Sequence, residues 1–185
     1  MNWENAFKII EPIPTDDYVG ERWPHIRYHK METYFKLASQ ASGGCIVELG
    51  TYRGLGAITL TLAAKEIVYT IDDFKARHDA SGVLYGPENE QWVHLNARKA
   101  GVRLRLVNLD VRTVGKYWTT PVSLLVWDLG TDTMEGDLSE WYKHITPRGR
   151  IAIKEFGSDR IEIPPDFDLD AEFPKATMYT LKRHG

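Results

Sequence analysis

The sequence holds a single cysteine, Cys45, among 185 residues, so no disulfide can form within the chain. Cys45 opens an apolar run, which predicts a buried thiol rather than a nucleophile. The lack of a disulfide framework points to the cytoplasm. No apolar run approaches the roughly 20 residues that span a bilayer, so no membrane partner is expected. The opening residues, "MNWENAFKIIEPIP", lack the basic start and long apolar core of a secretory leader. An excess of basic residues is missing too: 23 Lys and Arg face 26 Asp and Glu, a net charge of -3. Binding to a phosphate backbone favours a basic surface, and nothing in the overall charge suggests one. Internal repeats, low-complexity segments and a clear linker are also absent. One domain over residues 1–185 is expected, with an N-terminal extension at 1–22 and a leading helix at 23–42.

What is present is an alternation of short apolar runs with helical stretches, the pattern of an α/β domain with a mostly parallel sheet. Residues Met1–Asp17 read as irregular and proline-punctuated. "WPHIRYHKMETYFKLASQ" reads as a helix, with Pro24 in its first turn and an apolar face at Ile26, Met31, Tyr34, Phe35 and Leu37. Strands are expected at "CIVEL", "IVYTID", "RLRLVNL", "VSLLVWD" and "RIAIKEF". Helices are expected from about Leu55 to Lys65, at "PENEQWVHLNARKA" and at "GDLSEWYKHI", the last ended by Thr146-Pro147-Arg148-Gly149. The tail, "DFDLDAEF-PK-ATMYTLKRH", alternates as a hairpin of two final strands.

The turn after the first strand carries the most information. "VELGTYRGLG" places glycines at 50, 54 and 56, not in the G-x-G-x-x-G order of dinucleotide turns. That order, and the lack of room for a second mononucleotide half, argue against a nicotinamide-dependent oxidoreductase. Gly50 lets the chain bend as it leaves the strand, Gly54 lets a ligand approach the main chain, and Gly56 allows close packing of helix on sheet. The helix start offers free N–H groups to an anion. Glu48 is an acid in an apolar context and needs a partner. Asp72 lies twenty-two positions after Gly50, near the spacing at which an acid meets ribose hydroxyls. Asp73 follows it, Asp110 follows the third strand and Asp128 the fourth. Four successive strands thus end at or just before an acid, at the sheet edge where ligands of open α/β folds bind.

"VELGTYRG" followed by "VYTIDDF", "LVNLDV" and "LLVWDLG" resembles the class I S-adenosylmethionine-dependent methyltransferases over nearly the whole chain. The resemblance implies a Rossmann-like, doubly wound sheet of about seven strands with the last antiparallel, and S-adenosyl-L-methionine as cofactor. It places Glu48, Gly50, Thr51, Tyr52 and Gly54 around the amino-acid end of that cofactor. Asp72 falls at its ribose hydroxyls, with Asp73 next to it as a further cofactor-binding residue, Asp110 and Val111 at its adenine, and Asp128 beside the reactive methyl.

Two branches of the family compete for the acceptor. "VELGTYRG", "YTIDDF" and "GKYWTTPVSLLVWD" resemble the small-molecule and sugar O-methyltransferases, which makes a small-molecule hydroxyl the expected acceptor. Many members of that branch carry D-G-D-H after strand four; here Asp128-Leu129-Gly130-Thr131 stands instead. Asp128, Glu155 and Asp132 are too sparse a set for a metal site to be predicted. "GRIAIKEFG" resembles the RNA 2'-O-ribose methyltransferases, which use a Lys-Asp-Lys-Glu tetrad. By that resemblance Lys30, Asp128 and Lys154 are the catalytic residues, with Glu172 as the nearest fourth member, and RNA is the second expected partner. DNA amino-methyltransferases are disfavoured by the absence of N/D-P-P-Y/F after strand four. A non-catalytic cofactor-binding module of the same fold is the remaining alternative. Arg77, His78 and Tyr85, in the long loop after strand two, are further acceptor-site candidates. So small a domain leaves its pocket open or has it completed by the N-terminal segment or by another subunit, in a homo-oligomer.

Overall fold

The computed structural model describes residues 1–13, 23–78, 84–129, 134–154 and 162–185. The chain begins with helix α1 (Trp3–Ile10), where an irregular segment is expected from the sequence. Asn2 caps it, its side chain accepting from the Asn5 N–H, and Trp3, Ala6 and Ile10 bury one face. That spacing of three and four is a helical stripe, and it outweighs the prolines that follow it. Helix α2 (Trp23–Gln40) has the predicted extent, and Met31, Tyr34, Phe35 and Leu37 are buried as its apolar face. Arg27 ties the two helices together, donating to the carbonyls of Ile10 (3.1 Å) and Ile13 (2.9 Å).

Then follow β1 (Cys45–Leu49), α3 (Leu55–Ala63), β2 (Val68–Asp72), the two-residue strands β3 (Arg77–His78) and β4 (Leu84–Tyr85), and α4 (Pro87–Lys99). Next come β5 (Arg105–Asn108), α5 (Val111–Tyr117), β6 (Val122–Trp127), α6 (Met134–Tyr142) and β7 (Ile145–Lys154). The last strands are β8 (Phe167–Phe173) and β9 (Met178–Arg183), joined by a 3₁₀ turn at Pro174–Ala176. Helix α5 does not stand out in the sequence because Gly115 and β-branched Val111, Thr113 and Val114 are weak helix formers. It is started instead by Asp110, whose carboxylate accepts from the Thr113 N–H.

The main sheet has seven strands in the order β5-β2-β1-β6-β7-β9-β8. Neighbouring pairs from β5 through β7 are parallel, and β9 runs antiparallel to both β7 and β8. The expected α/β sheet with its final hairpin is therefore present. Residues Thr146–Gly149 form no loop after α6 but an irregularity inside β7. Val122 pairs with Ile145 and Leu124 with Arg150, so extra residues are accommodated between two successive ladder positions. Within this irregularity Arg148 has φ of 63°.

Each face of the sheet has its own core. Ile46, Leu124, Val126, Ala152 and Met178 point toward α1, α2 and α3. Val47, Leu49, Leu125, Trp127, Ile153 and Tyr179 point the other way, where Leu138, Trp141 and Val111 of α5 and α6 meet them. Strand alternation therefore assigns a face to every polar residue at the strand ends.

Candidate active site

Two strand ends and one helix build the centre of the site. Strands β6 and β7 run parallel, with Trp127 opposite Ile153, so the next residues, Asp128 and Lys154, stand side by side at the strand ends. Alternation carries both to the α2 side. There Lys154 Nζ lies 3.8 Å from Asp128 Oδ1. Lys30, on α2, makes a close ion pair with the other carboxylate oxygen, Oδ2. Four residues further along the same helix face, the Tyr34 hydroxyl donates to that oxygen at 3.0 Å. Lys30 and Asp128 each keep only 15% of their side-chain surface exposed. Burial raises the Asp128 carboxyl more than any other single influence does. Lys30, Lys154 and the Tyr34 hydroxyl together outweigh it and hold the group below the usual carboxylate range. Lys30, Asp128 and Lys154, far apart in the sequence, thus form one cluster.

Glu172 does not join it. It pairs with Tyr179, which pairs with Ile153, and Tyr179 and Ile153 belong to the core on the far face. The residue opposite Lys154 is Met178, so the start of the final strand offers no carboxylate.

The glycine turn is locked to this cluster. Gly50 has φ of 94°, and a Cβ there would lie 2.8 Å from the Asp128 carbonyl oxygen. The Asp128 N–H in turn donates to the Leu49 carbonyl at 2.9 Å. The bend after β1 therefore sets where Asp128 stands. Asp72 holds the turn from the other side. Its Oδ2 accepts from the N–H groups of Thr51 (2.9 Å) and Tyr52 (3.1 Å), and its Oδ1 from Phe74 N–H (3.0 Å). Those bonds fix Tyr52 at φ of 49°, a conformation only a determined environment imposes on a tyrosine. Gly54 is the N-cap of α3 and packs beside Val93 of α4.

Glu48 is fully buried on the α3 side of β1. Thr70 Oγ1 donates to its Oε2 at 2.6 Å, and Thr70 shares a 2.5 Å hydroxyl contact with Thr51. Oε1 has no hydrogen-bond partner among the described residues. Burial, chiefly, pushes this carboxyl up to about 8.

A second region lies at the ends of β2 and β5. A cleft of about 250 Å³ is lined by Asp73, Lys75, Asn108, Leu109, Asp110 and Thr113. Asp73, not Asp72, is the acid that faces it. Asp110 accepts from the Thr113 N–H and hydroxyl, both at 2.8 Å, which with the positive charges of Lys75 and Arg112 hold its carboxyl below the usual range. Leu109 is 54% exposed and gives the cleft an apolar wall. Val111 is buried beneath it, its carbonyl accepting from Trp141 Nε1. Cys45 is buried and its thiol is pushed up to about 11, as suits a structural cysteine. Asp132 and Glu155 lie outside the described residues, as do the side chains of Arg77, His78 and Tyr85.

Two members of this network are not evident from sequence. Tyr34 is signalled only by its place one helical turn after Lys30. Thr70 is an interior strand residue whose importance depends on facing Glu48.

At the level of sequence, no family model and no curated protein matches the chain. Solved structures do match it in fold. TrmN from Thermus thermophilus superposes with a TM-score of 0.62 at 17% identity, over 83% of this chain and 48% of its own. The chain thus spans about half the length of that protein. SMU.1697c, a putative methyltransferase from Streptococcus mutans solved in complex with SAH, superposes with a TM-score of 0.59 at 14% identity, over 83% and 97% of the two chains. A putative rRNA-methylase from Clostridium thermocellum gives 0.61 at 13% identity, over 84% and 96%. The shared architecture is the Rossmann-like methyltransferase fold.

Proposed function

We propose that the chain is an S-adenosylmethionine-dependent methyltransferase acting on a hydroxyl oxygen. The observation that carries this reading is the convergence of Lys30 and Lys154 on the two oxygens of Asp128, beside a turn shaped for a nucleoside. The cleft fits that cofactor: Asp73 suits a ribose diol, and Leu109 with Asp110 suits an adenine ring. The turn from Gly50 to Gly54 would meet its amino-acid end. The SAH bound to the Streptococcus mutans neighbour is the demethylated form of the same donor.

When bound, the sulfonium donor supplies an electrophilic methyl and its own leaving group. The protein must hold the acceptor oxygen in line and take its proton. In this reading Asp128 orients both ammonium groups. Lys154 Nζ, 3.8 Å from Oδ1, is the atom that in its neutral form receives the proton. Lys30, tightly paired, keeps Asp128 ionised.

Among hydroxyl acceptors the ribose 2'-OH of RNA is favoured by this lysine pair, and the rRNA-methylase among the neighbours supports RNA as the acceptor class. A small-molecule or sugar hydroxyl is the second reading. It is favoured by the net charge of -3 and by the lack of a carboxylate opposite Lys154.

Calorimetric titration with S-adenosylmethionine, SAH and NAD tests the cofactor. Binding of the first two alone supports the reading, and binding of neither overturns it. Transfer of labelled methyl to a capped RNA, but not to its 2'-deoxy counterpart, selects RNA. Transfer to sugars or phenols alone selects the second reading.

A further inference from the structure

We propose that Tyr34 is a positioning residue of the methyl-transfer site, acting through Asp128. The proposal rests on the reading of Lys30, Asp128 and Lys154 as the reactive cluster.

Tyr34 is wholly buried, and its hydroxyl donates to Asp128 Oδ2 at 3.0 Å. A tyrosine in a helix facing a core is ordinarily replaceable by phenylalanine, because its ring supplies the packing. Here the hydroxyl is placed on the one oxygen that Lys30 also holds. Lys30 Nζ itself lies 5.5 Å above the Tyr34 ring, so the helix delivers an ammonium and a phenol to the same point. The carboxylate is thereby gripped at Oδ2 from two sides. Partial rotation about its last bond would break both contacts. Oδ1 is left facing Lys154.

Helix α3 makes room for this ring. A Cβ on Gly56 would lie 3.1 Å from Tyr34 Cε2, so the glycine in α3 lets the tyrosine reach across to the end of β6. Burial first, then the neighbouring charges of Asp128 and Glu48, raise the phenol well above its ordinary value. Tyr34 therefore stays a neutral donor wherever the enzyme works. Among the described residues, the charged or titratable groups around Asp128 are Lys30 and Tyr34 from α2, Lys154 from β7 and Glu48 from β1. Of these, Tyr34 donates to the carboxylate without carrying a charge. Its removal weakens the hold on the ionised form and leaves the ion pairs in place.

Tyr34→Phe tests this, since it deletes one oxygen and keeps the ring. With ¹³C-labelled aspartate, the Asp128 carboxyl of the variant should titrate at least about half a pH unit above wild type. An unmoved midpoint overturns the proposal. In methyl transfer to a capped RNA or a sugar acceptor, kcat should fall about tenfold, while KM and S-adenosylmethionine affinity stay within twofold. An unchanged kcat also overturns it. A purely structural role would change melting temperature and leave the carboxyl midpoint alone. Wild type offers an independent check should the variant fold poorly: the Tyr34 hydroxyl proton should exchange slowly and shift as Asp128 is protonated, and indifference to that titration overturns the proposal. If wild type transfers no methyl group, the reading of the site fails, but the two NMR measurements still decide the Tyr34–Asp128 relationship.

Discussion

Glu48 and Gly56 occupy one space: a Cβ on Gly56 would stand 1.9 Å from Oε1 of the Glu48 carboxyl. The third glycine of the turn is thus required by a side chain of the protein and not by a ligand. Gly56→Ala forces α3 away from β1 or drives Glu48 off its Thr70 hydrogen bond. Overpacking of this kind costs roughly 1–3 kcal/mol, toward the upper end where the obstructing group cannot leave. The double variant Glu48→Ala/Gly56→Ala should be more stable than the sum of its parts, because the first change empties the space that the second fills. Urea unfolding of the four proteins in this cycle measures the coupling; additive losses would mean that the two residues do not share the site.

The same carboxyl makes stability depend on pH. In the fold it is pushed up to about 8, chiefly by burial, whereas an unfolded glutamate titrates near ~4.3. Between these values the folded chain keeps a proton that the unfolded chain has released. Stability from this group is therefore fullest below the lower value, declines as pH rises, and is lost through pH 8. The full effect is on the order of a few kcal/mol. Glu48→Gln keeps an acceptor for Thr70 and cannot ionise. Its unfolding free energy, subtracted from that of wild type across pH 5–8, should change steadily in favour of the variant as pH rises. Parallel curves would show that Glu48 carries no such proton.

Why some of this was legible in the sequence, and some not, follows from range. Strand runs such as "VSLLVW" and the helix from Trp23 are local patterns, and they stand where expected. The strand-end acids were visible as a set because each closes an apolar run. What those acids do was not, because it depends on partners brought in by the fold. Asp72 and Asp73 are neighbours of one type, and only the geometry shows that the first binds backbone amides while the second faces the cleft. Glu172, the nearest fourth member by resemblance, is set apart from the cluster only by the β8–β9 register. Helix α1 runs against the irregular reading of Met1–Asp17 because the prolines come after the stripe of Trp3, Ala6 and Ile10, where they end a helix instead of preventing one.

That division between adjacent acids can be measured. Asp72→Asn replaces one accepting oxygen with an amide that cannot accept, so at least one of the Thr51, Tyr52 and Phe74 N–H bonds is lost. Hydrogen bonds to a charged acceptor are worth about 1.5–3 kcal/mol, and Asp72 is nearly fully buried, so the loss should lie in that range. Cofactor binding should weaken as well, through a loosened turn. Asp73→Asn should leave the melting temperature close to wild type, yet weaken S-adenosylmethionine binding about tenfold or more. Calorimetry on both variants distinguishes the roles; equal stability losses would remove the distinction.

The two lysines should likewise separate. Lys30→Met leaves the Asp128 carboxylate mostly buried, with Lys154 at 3.8 Å as its remaining cation in the cluster. Breaking a buried pair from one side costs roughly 3 kcal/mol or more, and somewhat less here because the pair keeps some contact with water. Lys154→Met removes the longer contact and should strand the carboxylate less. Activity should follow a different order. A proton acceptor contributes about 10²–10⁴-fold, so Lys154→Met should lose at least a hundredfold in kcat with cofactor affinity intact. Adding Asp128→Asn to Lys30→Met removes the stranded charge and should restore much of the stability, but no turnover. Recovery of turnover together with stability would reduce the cluster to a structural ion pair, and the proton would have to leave by another route.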